Sequence, residues 1–191
     1  MSARPGTASV RAVSGEMGTD TGLTLRPWAE SDLEAVRDAF NEPLMLRQLP
    51  PSMRRTAVDD EMAGRWIADR RREREEDAGY SWAVTHGPVV VGCVAVGAVD
   101  RVHDTGWVSY WTVRAAQGRG VASSALRAAA GWAFGELGLF RLELGHRTDN
   151  RASCEVAGRA GFAVEGLQRA KLRYGGTRHD VELHSRLATD S

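Results

Sequence analysis

Residues 111–126 read WTVRAAQGRGVASSAL, a sequence that joins the end of a strand, a glycine-rich turn and the start of a helix. Residues 107–113 are aromatic and β-branched, which predicts a strand. Residues 123–134 are rich in alanine and leucine, which predicts a helix. A strand that turns through closely spaced glycines into a helix directs several free backbone N–H groups to one point. The stretch therefore predicts a phosphate-binding loop.

Two well-known phosphate-binding loops do not fit this stretch. The Walker loop ends in Gly-Lys-Ser/Thr, and no lysine follows Gly118 or Gly120. The dinucleotide-binding fingerprint needs a third glycine where Ser123 stands, and the chain shows no long alternation of strands and helices behind it. Both alternatives are therefore weak.

The composition limits the possible classes of protein. A chain of 191 residues fits one domain with a sizeable core. Because 25 basic and 25 acidic residues balance, net charge gives no argument for a nucleic-acid partner. No apolar run approaches the roughly 20 residues of a membrane span, and no secretory signal is recognisable at the N-terminus. We therefore expect neither a nucleic-acid nor a membrane partner.

The two cysteines, Cys93 and Cys154, carry information about the redox compartment. They are far apart in the sequence and lack the spacing of metal-binding pairs. This usage favours a reducing cytoplasm, without a disulfide framework and without a metal site. Both thiols are then expected to be small buried side chains.

The order of the predicted elements indicates a mixed α/β domain. Residues 1–22 are small, polar and rich in glycine, which predicts a disordered tail before one folded domain over residues 23–188. Four helices are expected, near residues 33–40, 56–77, 123–134 and 150–160, with Ser31 or Asp32 capping the first. Strands are expected near residues 23–28, 80–85, 89–99, 105–113, 141–144, 162–174 and 180–187. Because most of these strands are linked as hairpins, we expect a mostly antiparallel sheet.

The glycine stretch resembles the pyrophosphate loop of the GCN5-related N-acetyltransferases (GNAT), written Gln/Arg-x-x-Gly-x-Gly/Ala. Here the motif runs from Gln117 to Ala122. Further motifs follow in the order seen in the branch of ribosomal-protein N-terminal (RimJ/RimL-type) acetyltransferases: Asn150-Arg151-Ala152-Ser153, Gly161-Phe162 and the segment from Arg178 to Leu183. The resemblance covers roughly Gly22 to Ala188. It implies the fold of that family, a central, mostly antiparallel twisted sheet flanked by helices.

The resemblance implies acetyl-CoA as cosubstrate and no metal. Backbone N–H groups of the loop would bind the pyrophosphate, helped by the helix dipole. In the family the pantetheine pairs with the preceding strand like an added strand, here near Trp111 and Val113. The cofactor-binding residues implied are Trp111, Val113, Gln117, Gly118, Arg119, Gly120, Val121, Ala122, Ser123 and Asn150.

The resemblance also implies catalytic roles for Glu143 and Ser153. The backbone N–H of Val113 would meet the thioester carbonyl oxygen, and the Ser153 hydroxyl would donate to the CoA sulfur. Ala157 stands where related enzymes carry a tyrosine acid. Glu143 is the first choice for the base, because a carboxylate on a predicted interior strand is costly to bury unless it is paired or useful. The alternatives are a salt bridge from Glu143 to Arg141 or Arg173, and an ordinary helix-face role for Ser153.

The amine acceptor is the least specified part of the prediction. An α-amino group has a pKa of about 7.7–8.0 against about 10.4 for lysine, so a weak base or a water chain suffices for it. This favours an α-amine or a small-molecule amine over lysine. The leading prediction is direct transfer to a protein N-terminus in a ternary complex. A small-molecule amine is the first alternative, and a non-catalytic acyl-CoA-binding module is the second. The long loop over residues 41–52, with Arg47 and Gln48, is expected to cover the acceptor. The chain is expected to be a monomer or a homodimer.

Overall fold

The computed structural model describes residues 15–43, 45 and 57–190. Eight strands in this part of the chain form one sheet in the order β1-β2-β3-β4-β5-β6-β8-β7. The strands are β1 (Met17–Gly18), β2 (Thr24–Arg26), β3 (Tyr80–His86), β4 (Val89–Asp100), β5 (Thr105–Thr112), β6 (Arg141–Arg147), β7 (Ala163–Tyr174) and β8 (Thr177–Leu187). The helices are α1 (Leu33–Asn41), α2 (Asp60–Glu75), α3 (Val121–Gly135) and α4 (Arg151–Arg159). The predicted mixed α/β class is confirmed.

The sheet is antiparallel except between β5 and β6, which run parallel. That parallel pairing joins Thr105, Gly106 and Trp107 to Arg141, Leu142 and Glu143, and then it ends. Beyond it, β5 pairs with β4 alone and β6 pairs with β8 alone among the described residues. The two central strands therefore separate, and the gap between them is the feature that positions the site.

Helices cover both faces of the sheet. Alanine-rich α3 and α4 pack on one face, where Leu126 and Ala129 meet Val94, Leu142 and Leu144 of the strands. On the other face, α1 and α2 enclose a second cluster that contains Trp28, Phe40, Ile67 and Trp111. Helix α1 buries Val36, Ala39 and Phe40, which recur at the spacing of one helical face. Alternate residues of a strand point to opposite faces, so β3, β4 and β5 contribute to both clusters, whereas β6 contributes to the first cluster only.

The prediction that the disordered tail extends to Gly22 is wrong for its last part. Residues Met17–Gly18 form β1, which pairs with β2 at the edge of the sheet. The indole Nε1 of Trp82 donates to the carbonyl of Gly15 at 3.0 Å. A buried indole N–H needs a hydrogen-bond acceptor. The Gly15 carbonyl supplies it, so this hydrogen bond holds the segment before β1 against the sheet. Residues 1–14 lie outside the described residues.

Asp32 stands at the N-cap position of α1, as one of the two predicted caps, but its side chain makes no capping hydrogen bond to that helix. Its carboxylate accepts two hydrogen bonds from the Arg26 guanidinium, each 2.7 Å, and one from the Ala29 N–H at 2.9 Å. Only 4% of Asp32 is exposed. Burial by itself would raise the pKa of Asp32, but these hydrogen bonds outweigh it and hold the pKa below its usual value. The residue therefore joins the end of β2 to the start of α1.

Part of the expected acceptor loop lies outside the described residues, including Arg47 and Gln48. Of that loop, the structure describes Asn41, Glu42, Pro43 and Met45. Within the described ranges, no helix has the length and apolar character needed to cross a membrane.

Candidate active site

The glycine loop between β5 and α3 has the backbone conformation that its sequence predicts. Gly118 and Gly120 have φ angles of 74° and 78°, in the left-handed region where residues with a Cβ are strained. The first helical hydrogen bond runs from the Ser124 N–H to the Gly120 carbonyl at 3.0 Å. The N–H groups of residues 121–123 precede that bond and have no acceptor among the described residues. They form the anion-binding end of α3.

Two side chains brace this loop from within. The Gln117 amide donates to the Thr112 carbonyl at 3.2 Å, which ties the loop to the end of β5. The Ser123 hydroxyl donates to the Gly120 carbonyl at 3.0 Å, which steadies the first turn of α3. These two hydrogen bonds connect the loop to the end of β5 and stabilise its junction with α3.

A cavity of about 370 Å³, called the loop cavity below, lies against this loop. Of the ten residues expected to bind cofactor, eight line it: Trp111, Gln117, Gly118, Gly120, Val121, Ala122, Ser123 and Asn150. Val113 and Arg119 do not line it. Its wall also includes Glu42 and Met45 from the segment after α1.

A second cavity of about 210 Å³, called the strand cavity below, occupies the gap between β5 and β6. Its wall includes Trp107, Ser109, Gly145 and Arg147 from one face of the sheet. It also includes Val108, Tyr110, Leu144 and His146 from the other face. Residues of both parities line it, so the cavity lies where β5 and β6 have separated, and Leu172 and Tyr174 of β7 complete its wall.

The two cavities share three wall residues, Tyr110, Asn150 and Ser153. The Tyr110 hydroxyl donates to the backbone carbonyl of Ser153 at 3.2 Å. Burial raises the pKa of the Tyr110 phenol by more than the nearby Ser153 side chain lowers it, so the phenol stays protonated at neutral pH. The Asn150 side chain accepts from the Ser153 N–H at 3.3 Å and thereby caps α4. Ser153 is therefore fixed through its backbone at the junction of the two cavities.

The expectation that the Val113 N–H is an open donor is wrong. This N–H donates to the Val91 carbonyl of β4 at 3.0 Å. In an antiparallel pair, successive residues direct their N–H and C=O groups alternately toward and away from the partner strand. The N–H groups of Tyr110 and Thr112 therefore point away from β4, toward the gap. The sequence could not fix this register, because it depends on the β4–β5 pairing.

Glu143 forms the salt bridge that the sequence left as an alternative, with Arg141 and not with Arg173. The Arg141 Nε donates to Glu143 Oε1 at 2.6 Å, and the Glu143 side chain is 40% exposed. Arg141 also pairs with Glu165 of β7, and this contact lowers the pKa of Glu165 to about 2. Glu143 lies opposite Trp107, at the last pair before the strands separate, and lines neither cavity. Its catalytic role stays a prediction.

Two residues near the cavities were missed or left open by sequence reasoning. Tyr110 was one of two neighbouring aromatics expected near the cleft, without a role. His146 was not singled out because the predicted strand ended at Leu144. The alternation of Leu142, Leu144 and His146 on the buried face of β6 was the signal that extended the strand. Ala157, at the position of the tyrosine acid in related enzymes, is fully buried and supplies no donor.

The chain is similar in sequence to known acetyltransferases. Residues 22–163 match the family model described as an acetyltransferase (GNAT) domain. Over 121 residues the chain is 29% identical to YdaF of Bacillus subtilis (strain 168), which is named as a ribosomal N-acetyltransferase. The aligned part covers 63% of this chain and 66% of YdaF, so the chain spans slightly less than two thirds of that relative.

Solved structures share the fold at low sequence identity. One is RimL, a ribosomal-protein α-N-acetyltransferase in complex with coenzyme A, with a TM-score of 0.82, 21% identity, and coverage of 90% of this chain and 97% of that one. Another is the microcin self-immunity acetyltransferase MccE in complex with acetyl-CoA and AMP, with a TM-score of 0.79, 18% identity, and coverage of 88% and 93%. These similarities confirm the predicted fold.

Proposed function

This chain belongs to the GNAT acetyltransferase family, and from that premise we propose that it transfers the acetyl group of acetyl-CoA to a primary amine. One observation carries the proposal. The loop cavity and the strand cavity share the wall residues Tyr110, Asn150 and Ser153. Such a junction allows two substrates to approach from different sides and react where the cavities join.

The loop cavity fits the acetyl-CoA cosubstrate. The left-handed glycines and the unbonded N–H groups of residues 121–123 would hold the pyrophosphate. The N–H groups of Tyr110 and Thr112 would hold the pantetheine as an added strand in the gap beside β5. Acetyl-CoA supplies an activated thioester. The residues around it need only to position the two substrates, polarise the thioester carbonyl and transfer protons.

The chain's own groups supply three functions in the proposed transfer. The Thr112 N–H, which replaces Val113 in this role, would stabilise negative charge on the carbonyl oxygen. The Ser153 hydroxyl would donate its proton to the departing thiolate. Glu143, which shares its face of β6 with Gly145 of the strand cavity, would accept the amine proton through water. The C–N bond forms as the C–S bond breaks. The proton that the amine loses goes to the base, the proton that sulfur gains comes from Ser153, and the protonated base restores the Ser153 proton through water.

For the acceptor, we propose a protein N-terminus. The strand cavity of about 210 Å³ has aromatic walls from Trp107 and Tyr174 and a cation at Arg147, which could contact the carbonyl groups of an extended peptide end. The similarity to YdaF, named as a ribosomal N-acetyltransferase, supports the same acceptor class. The proposal places the reaction in the cytoplasm, where Cys93 and Cys154 would persist as the free thiols of this structure.

The donor half of the proposal is tested by isothermal titration of the folded protein with acetyl-CoA. We expect one binding site per chain. Absence of binding by protein whose circular dichroism shows native folding would reject the proposal.

The acceptor half is tested with a panel of amines, read as thiol release from acetyl-CoA. The central comparison uses two matched peptides, one with a free α-amine and no lysine, the other with a blocked α-amine and one lysine. A polyamine and an aminoglycoside represent small-molecule acceptors. We expect release with the free α-amine only. Release with a small amine alone would favour the first alternative, and binding without any release would favour a non-catalytic module.

A further inference from the structure

Four side chains with metal-binding atoms converge between α4 and the sheet. They are His146 of β6, Cys154 of α4, and Glu182 and His184 of β8. One nitrogen, sulfur or oxygen atom from each lies within 4.8 Å of the other three. His146 also lines the strand cavity, but the proposed transfer assigns no proton-transfer or charge-stabilising role to any of the four side chains.

The fold brings these residues together through strand register. His146 lies opposite Glu182 and Leu144 lies opposite His184 in the antiparallel β6–β8 pair. Residues two apart on a strand share a face, so His146, Glu182 and His184 all point toward α4. Cys154 projects from α4 and lies within hydrogen-bond reach of Glu182. Three separate elements therefore supply the four side chains.

The distances are compact and the histidine rings are buried. The Nε2 atoms of His146 and His184 are 2.9 Å apart. Glu182 Oε1 lies 3.0 Å from His184 Nε2 and 3.5 Å from His146 Nε2. His146 is 8% exposed and His184 is 2% exposed. Cys154 and Glu182 are partly exposed, which leaves a route from solvent to the centre of the group.

Lone pairs of several side chains converge at the centre of the group. His146 Nδ1 lies 3.0 Å from the Arg147 carbonyl, which can only accept, so this nitrogen carries the proton and Nε2 presents a lone pair. A proton on His184 Nε2 can serve either His146 Nε2 or Glu182 Oε1, and the Cys154 thiol can serve Glu182. A cation at this point would accept all of these lone pairs at once. The bond from His146 to Arg147 is the type of outer contact that orients a metal-bound histidine.

We propose that His146, Cys154, Glu182 and His184 bind one zinc ion. Two imidazoles, one thiolate and one carboxylate form a donor set that suits tetrahedral Zn²⁺, whereas Mg²⁺ and Ca²⁺ select oxygen ligands. On binding, the S–H bond of Cys154 breaks, a Zn–S bond forms and the proton leaves to solvent.

The site joins α4 to β6 and β8. Asn150 and Ser153 belong to the same helix start, and Ser153 precedes the cysteine ligand directly. Zinc at this point would fix the helix that carries the shared wall of both cavities. The proposal does not rest on acetyl transfer, because zinc binding is measurable without either substrate.

The test is a titration of the metal-free full-length chain with Co²⁺, a spectroscopic substitute for zinc. We expect one Co²⁺ per chain, a thiolate-to-cobalt charge-transfer band and the intense visible bands of a tetrahedral centre. Zn²⁺ should displace the cobalt and abolish these bands. Zn²⁺ should also raise the melting temperature of the wild-type protein.

Matched variants decide whether the proposed ligands are the real ones. Cys154→Ser should lose the charge-transfer band and bind Zn²⁺ at least about ten-fold more weakly. Cys93→Ala, which alters the other cysteine, should keep the band. Glu182→Gln should weaken binding while leaving the thiolate band visible at saturation. His103→Asn, an exposed histidine far from the group, should bind as wild type does.

Two results would overturn the proposal. One is a wild-type protein, folded by circular dichroism, that binds neither Co²⁺ nor Zn²⁺. The other is a charge-transfer band that persists in Cys154→Ser or is absent in wild type despite binding. Because Cys154 and Glu182 are partly exposed, their variants are expected to fold, and the melting curve without metal checks this.

Discussion

The Tyr110 hydroxyl on β5 donates a hydrogen bond of 3.2 Å to the Ser153 carbonyl on α4. This hydrogen bond connects β5, which borders the gap between β5 and β6, to α4, which carries the proposed proton donor Ser153. We expect Tyr110→Phe to lower kcat/KM about five-fold, because one hydrogen bond of about 1 kcal/mol no longer positions Ser153. Tyr80→Phe is the matched control, since it also removes a tyrosine hydrogen bond but lies away from both cavities. Equal activity of the two variants would contradict this positioning role.

Ser153→Ala tests the proposed proton donor. Loss of a positioned acid is expected to lower kcat by about 100-fold, while the Kd for acetyl-CoA changes little. Steady-state kinetics together with isothermal titration separates the two effects. Ser124→Ala serves as control, because Ser124 is buried in α3 and lines neither cavity. An unchanged kcat in Ser153→Ala would contradict the proton-donor role and leave Ser153 as an ordinary residue of the helix.

Gly118→Ala tests the loop as an anion-binding backbone. The residue has a φ of 74°, and a Cβ at this position would meet no atom within 4 Å, so the substitution acts through backbone strain of about 1–2 kcal/mol. Relief of that strain would rotate the N–H groups, and we expect acetyl-CoA to bind about ten-fold more weakly. Gly138→Ala is matched in conformation, with a φ of 71° and equal space, but it lies outside both cavities. Gly138→Ala should lower the stability of the fold by a similar amount and leave the affinity for acetyl-CoA unchanged. If it lowers this affinity as much as Gly118→Ala does, the effect of Gly118→Ala is not specific to the loop.

Glu143→Gln tests the proposed base against a shared ion-pair partner. Arg141 pairs with both Glu143 and Glu165. Because the two glutamates share this partner, a different effect of their substitutions would reflect their different positions. We expect Glu143→Gln to lower kcat/KM about ten-fold below the pKa of the amine and to change the pH–rate profile. Glu165→Gln should leave that profile unchanged, because the pKa of about 2 keeps Glu165 ionised throughout. Identical profiles for the two variants would reduce Glu143 to a structural ion-pair partner.

Asp32→Asn tests the buried pair that joins β2 to α1. At pH 7 the variant should lose about 2 kcal/mol of unfolding free energy, because the substitution weakens hydrogen bonds to a buried charge. Since the folded pKa lies below the ordinary value of 3.8, the carboxylate stabilises the fold above that pH and loses this effect as the pH falls through the folded pKa. The difference between wild type and variant should therefore narrow below about pH 4 in urea denaturation. Asp38→Asn, which alters an exposed residue of α1, should change stability little at any pH.

The local features of the site were predictable because they depend on short stretches of chain. Closely spaced glycines after an aromatic strand predicted the left-handed turn at Gly118 and Gly120. Asn150 stands at the start of the predicted helix, where its side chain caps α4. Eight of the ten expected cofactor residues line one cavity for the same reason, since nearly all belong to the loop and the first turn that follows it.

The errors share one physical cause. Val113 was given an open N–H, but whether a strand residue bonds to its neighbour or faces a gap depends on pairing with β4, which lies about 20 residues away in the sequence. Asp32 stands at the predicted cap position of α1, yet its carboxylate binds Arg26 across the turn instead of the N–H groups of α1. The last part of the tail was expected to be disordered, but β2 and Trp82 provide partners for it. In each case the decisive hydrogen-bond or pairing partner lies outside the short stretch of sequence on which the prediction was based.

The sequence by itself determined the family, the mixed α/β class and the phosphate-binding loop, because φ preferences, side-chain periodicity and motif spacing act within short segments. Only the tertiary structure decided where β5 and β6 separate, which backbone N–H groups face the gap, and that Glu143 pairs with Arg141. It also brought Cys154 to two histidines and a glutamate from distant strands. The physical reason is that strand register and helix docking are fixed by packing of the whole sheet, so contacts between distant residues follow from the assembled fold.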